Sequence, residues 1–171
     1  MSPKSDAQRE RDDLLEALEA HRNFLRRTVR ELTDEEARQR TTVSELCLGG
    51  IIKHVTQVER NWCQFIMTGP EVMRFDEHSM DDHAASFQML GDDSLAALLD
   101  DYQEVARRTD KLVRTLPSLD ADRPLPEAPW FKPGARRSAR RVLVHIIAET
   151  AQHAGHADII RESLDGAKTM G

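Results

Sequence analysis

Apolar residues recur every three to four positions over four long stretches of this chain, the spacing that builds one face of an α-helix. Leu14, Leu15, Leu18, Leu25, Val29 and Leu32 form the first stripe and predict a helix from Ser5 to Leu32. Thr33 and Glu36 in "LTDEEARQR" match a capping box, so a short helical turn should follow. Ser44 reads as the N-cap of a second long helix, "ELCLGGIIKHVTQVERNWCQFIM", which stops before Gly69-Pro70. A third stripe, including Leu95, Leu99, Tyr102 and Val113, predicts a helix from Ser94 to Leu116, ended by Pro117. The fourth starts behind an N-cap at Ser138 and runs to Leu164, ahead of Gly166.

The connections differ in character. Residues 69–92 are polar, rich in Asp, Glu and His, and without a clear period, which predicts a long connection with a short turn of helix in it. Connections of this length in a compact domain are usually functional or mobile. The segment "SLDADRPLPEAPWFKPGARR" holds four prolines and reads as irregular. No stretch alternates as a strand would. The expected fold is therefore all-α, a four-helix bundle forming one domain over residues 1–171. Gly49-Gly50 inside the second helix costs about 1 kcal/mol per glycine relative to alanine. Two glycines there predict close approach by another segment or a ligand.

Charge narrows the function classes. The chain carries 24 basic and 30 acidic residues, a net charge of −6, which argues against a nucleic-acid partner. One basic cluster, "KPGARRSARR" at 132–141, is local; it reads either as a solvated loop and helix start or as the place where an acidic small molecule is met. No apolar run approaches the ~20 residues of a membrane span, and the charged N-terminal segment lacks the apolar core of a secretory signal. Cys47 and Cys63 fall in the same predicted helix, roughly four to five turns apart, and cannot pair there. These features point to the cytoplasm.

The last helix carries the candidate chemistry. Val142, Ile146, Glu149, His153, His156 and Ile160 follow the spacing of one face, and that face begins and ends apolar. Glu149, His153 and His156 thus interrupt a core stripe, where an unpartnered carboxylate would cost several kcal/mol. The second helix offers a partner, because His54 lies on its inward stripe of Cys47, Ile51, Val58 and Phe65. One inward His is commonly a hydrogen-bonded core residue, and an isolated Glu–His pair at i, i+4 is commonly a surface pair. Their coincidence on two inward stripes is more informative. It makes a three-ligand set of His54, Glu149 and His153, suited to zinc first, with nickel, iron or cobalt as alternatives, and to a site with an open position. His156 is an acid/base candidate or a fourth ligand. His145 lies off the centre of the stripe, and His78 and His83 fall in the long connection.

The blocks "LCLGGIIKHVTQVERNW" and "ARRVLVHIIAETAQHAGHADIIRESLDG" resemble the DinB-like metalloenzyme superfamily, most closely its mycothiol-dependent branch of S-transferases. The resemblance runs over nearly the whole chain in helix order and loop placement. It implies a four-helix bundle with long crossover loops, often a homodimer. It also implies a metal held by His54, Glu149 and His153; many relatives carry His where this chain has Glu149, and thiol-dependent maleylpyruvate isomerases carry Glu. The implied activity is transfer of mycothiol, a small-molecule thiol activated as a metal-bound thiolate, to an electrophilic substrate. His156 would then serve catalysis, while Arg140, Trp62 and Trp130 would contact the thiol cofactor. An isomerase, a metal-dependent hydrolase or a non-catalytic metal- or thiol-binding bundle are the alternative expectations.

Overall fold

The computed structural model describes residues 4–73 and 79–169; His78 lies outside the described residues. Helices α1 (Asp6–Thr28), α3 (Leu48–Thr68), α5 (Leu95–Thr115) and α6 (Ala139–Asp165) are the four long ones. Short helices α2 (Asp34–Arg38) and α4 (Ser79–Ser86) lie in the connections, with a 3₁₀ turn at Pro70–Val72. Ser138 accepts a hydrogen bond from the backbone three residues on, as expected of an N-cap, and Ser5 and Ser94 cap their helices in the same way. The capping box of Thr33 and Glu36 also forms.

Three expectations need correction. The second long helix starts at Leu48 behind an N-cap at Cys47, whose Sγ accepts from the Gly50 amide. Ser44 instead accepts from the amide of Leu46, two residues on, and Thr42 does the same for Ser44. Hydroxyl-to-backbone bonds at that spacing bend the chain and compete with helix. The first helix ends at Thr28, not Leu32: Arg161 of α6 donates to the Thr28 and Arg30 carbonyls, and Glu31 turns through a positive φ of 62°. Such carbonyls need a partner outside the helix. Finally, the proline-rich segment is not wholly irregular. Strand β1 (Asp122–Pro124) pairs antiparallel with β2 (Arg136–Ser138), with Arg123 opposite Arg137.

The long helices pack in the cyclic order α1, α6, α3, α5. Successive helices α1 and α3 therefore sit on one diagonal, and α5 and α6 on the other. Their directions follow from two apolar clusters at opposite ends of the bundle. One holds Leu25 of α1, Ile51 of α3, Tyr102 of α5 and Ile160 of α6; the other holds Leu18, Phe65, Val113 and Val142 of the same helices. Helices α1 and α6 thus run parallel, and α3 and α5 run parallel in the opposite sense. Because α3 ends at one end of the bundle and α5 starts at the other, the chain between them must return along the full helix length. This explains the long connection at 69–94. On its way back it packs against α3: a Cβ on Gly50 would collide with the Phe87 carbonyl, and one on Gly49 with the Met89 side chain. The two glycines admit the crossover.

A polar layer separates the two apolar clusters. Arg22 of α1 pairs with Glu59 of α3, both wholly buried, and its Nη1 donates to Asp110 of α5 at 2.9 Å. Thr109 and Thr150, buried on α5 and α6, turn their hydroxyls back to the carbonyls four residues earlier. A groove of about 540 Å³ between α1 and α5, lined by Arg22, Asp110, Arg107 and Arg114 among others, opens beside this layer.

Candidate metal centre

His54 of α3 and Glu149 and His153 of α6 bring one ligand atom each to within 4.8 Å of one another. His153 Nε2 lies 3.6 Å from Glu149 Oε2. A tetrahedral ion with bonds of ~2.0–2.1 Å needs neighbouring donors ~3.3 Å apart, so small side-chain adjustments close the set. His54 is 4% exposed and His153 7%, whereas the Glu149 side chain retains 29%. The centre is therefore buried on its histidine side and open on its carboxylate side.

The crossover connection orients the His54 ring. Ser86, in the last turn of α4, donates its hydroxyl proton to the His83 carbonyl at 2.7 Å. Its oxygen is thereby left to accept from His54 Nδ1, 2.9 Å away. A proton on Nδ1 leaves the lone pair on Nε2, which is the tautomer a metal requires. Burial, together with the neighbouring His153 and His83, pushes the imidazole pKa down to about 4, so the ring is neutral at physiological pH. Phe87 stacks on it at 3.7 Å between ring centroids, 19° from parallel, and closes that side. Glu149 is kept ionised: contact with the His153 ring holds its carboxyl below the usual range, against the opposing effect of burial. Two imidazoles and a carboxylate, with both imidazoles buried, fit a borderline divalent ion.

The other expected site residues distribute as follows. His156 Nδ1 lies 3.4 Å from His153 Nδ1, so it stands behind His153, on the nitrogen opposite the one facing Glu149. His145, expected off-centre, is half-buried with Nε2 3.9 Å from Glu149 Oε1. Trp62 packs edge-on to His145 at 4.9 Å and lines the same open side. Trp130 is 60% exposed and meets Phe131 at 6.2 Å. The guanidinium of Arg140 is engaged by Glu10 and Asp120, tying α6 to α1 and to the preceding loop. Cys47 and Cys63 are both free and buried, and burial pushes the Cys63 thiol up to about 12. Sequence reasoning missed Ser86 and Phe87, which lie in the aperiodic connection, and it treated His83 as a loop residue although its ring is 5.4 Å from that of His54. No helix among the described residues is long and apolar enough to cross a membrane.

Solved structures share this fold. YfiT from Bacillus subtilis, described as a probable metal-dependent hydrolase with an unusual four-helix bundle topology, superposes with a TM-score of 0.66 at 17% identity. The alignment covers 95% of this chain and 90% of YfiT. A conserved protein from Enterococcus faecalis gives a TM-score of 0.64 at 14% identity, covering 91% of this chain and 97% of that one. At these identities the likeness is one of fold. No curated protein sequence matches the chain. A family model described as mycothiol-S-transferase matches residues 13–166, and the chain belongs to that family.

Proposed function

We propose that the protein is a divalent-metal-dependent S-transferase that joins mycothiol to an electrophilic small molecule in the cytoplasm. The observation that carries this reading is the convergence of His54, Glu149 and His153 inside a mycothiol-S-transferase family chain. These three residues would hold the ion, zinc first by ligand type. A divalent ion there supplies Lewis acidity, which brings a thiol's deprotonation near neutral pH. The chain supplies the rest. Ser86 fixes the His54 tautomer, and Phe87 excludes water from the histidine side. The half-open face at Glu149 and His145, walled by Trp62, admits the thiol and its acceptor. His156, half-buried with one nitrogen against His153, suits a proton carrier between the site and water. Trp130 would form the outer rim, and Arg140 would brace the helix that carries two ligands.

Hydrolysis is the second reading, favoured by the description of YfiT, and hydrolytic turnover without added thiol would select it. The direct test follows mycothiol consumption with a chlorobimane. Conjugation should occur with metal-loaded protein, stop on chelation and return with zinc. Tight thiol binding without conjugation to any of a range of electrophiles would contradict the transferase and leave a binding bundle.

A further inference from the structure

We infer that Arg137 is the specificity residue for the second substrate and that it receives a carboxylate on the electrophile. Four arginines surround the start of α6, and they are not equivalent. Arg136 is paired with Asp122, and Arg140 with Glu10 and Asp120. Arg141 is exposed to water. Arg137 is half-buried, its Nη1 is closed to solvent with no hydrogen-bond partner, and no acid of the described residues forms an ion pair with it. The charge it feels is that of another cation, Arg141, and both burial and that repulsion disfavour its ionised form.

The guanidinium is nevertheless flanked by aromatic rings. It lies over the Trp62 ring at 4.6 Å and near the Phe131 ring at 5.4 Å. A guanidinium over an aromatic ring can still present its N–H edge to an in-plane acceptor. Pairing two such bonds with a carboxylate is the geometry an arginine favours. A half-buried cation without a counter-ion is costly, and an anionic ligand removes that cost.

Its position completes the inference. Trp62 touches both Arg137 and His145, and His145 faces Glu149. Arg137 therefore stands at the end of a continuous wall that begins at the open side of the metal centre. An electrophile anchored by its carboxylate at Arg137 would lie along Trp62 with its reactive carbon toward Glu149. This inference rests on the transferase reading for the identity of the ligand, but the anion site itself can be tested without turnover.

The test uses the purified protein with no thiol and a matched pair of ligands, 4-chloro-3-nitrobenzoate and its methyl ester, titrated by calorimetry. Wild type should bind the acid ~10- to 100-fold more tightly than the ester, the range expected for charge-assisted hydrogen bonds. Arg137→Gln should bring that ratio close to one and leave the ester's affinity within about twofold. Arg137→Lys, which keeps the charge without the fork, should retain part of the preference. Equal binding of acid and ester by wild type would overturn the proposal, as would an undiminished ratio in Arg137→Gln. If the ratio collapses as expected while no electrophile is ever conjugated, the anion site stands and the transferase reading falls. Conjugation with no acid preference gives the reverse outcome.

Discussion

At the residue scale, the candidate centre depends on the groups around its three candidate ligands as much as on those three. Ser86 decides which nitrogen of His54 carries the proton. Ser86→Ala should therefore weaken zinc affinity ~10- to 100-fold, the usual effect of losing such an orienting partner, as measured by competition with a chromogenic chelator. His54 also makes the stability of the metal-free protein depend on pH. Its folded pKa is about 4, below the ~6.5 of an unfolded histidine. Between these values the unfolded chain takes up a proton that the folded chain refuses. Stability is thus fully present above ~6.5 and falls as pH drops toward 4, by at most ~1.4 kcal/mol per pH unit. Denaturant melts of apo protein across that window should show the fall, and His54→Phe should flatten it. A slope unchanged by that substitution would place the titrating group elsewhere. The triad was legible in the sequence because ionisable residues interrupting two apolar stripes have few reasons to be there. Ser86 and Phe87 were not, since nothing in an aperiodic polar segment indicates which of its residues folds back onto a helix.

At the element scale, the crossover between α3 and α5 is the least periodic part of the chain, and its 84–90 stretch seals the histidine side of the centre. Gly49 and Gly50 admit it, and the sequence did signal that some close approach occurs there. Gly50→Ala would push the Phe87 backbone away. A destabilisation of ~1–3 kcal/mol, typical of overpacking, should appear in urea melts, together with weaker metal binding as Ser86 leaves His54. Metal affinity that survives unchanged would separate the crossover from the centre. The helix starts show how local chemistry limits a sequence reading. Ser138 caps its helix as expected, but Ser44 spends its hydroxyl on a turn and the helix waits for Cys47. The ribbon of β1 and β2 escaped notice because three residues per strand cannot display alternation, and β1 ends in Pro124.

At the scale of the whole molecule, two parallel helix pairs run in opposite senses, and a polar layer crosses the bundle between its apolar ends. Arg22 and Glu59 bridge the diagonal that successive helices α1 and α3 occupy. Glu59→Ala would strand Arg22 in the interior and should cost ~3–5 kcal/mol, read from chemical denaturation. A loss near zero would mean that Asp110 and Glu19 together satisfy the cation. Helix content and order were readable from periodicity, whereas the pairing of helices was not, because a stripe reports a buried face without naming its neighbour. All of this architecture brings α3 and α6 together at His54, Glu149 and His153, and the account stands or falls on an ion being held there. Elemental analysis of the purified wild type beside the double variant Glu149→Ala, His153→Ala is the most direct measurement. About one divalent ion per chain in the wild type, lost in a folded double variant, is the predicted result; equal metal content in both proteins would contradict it.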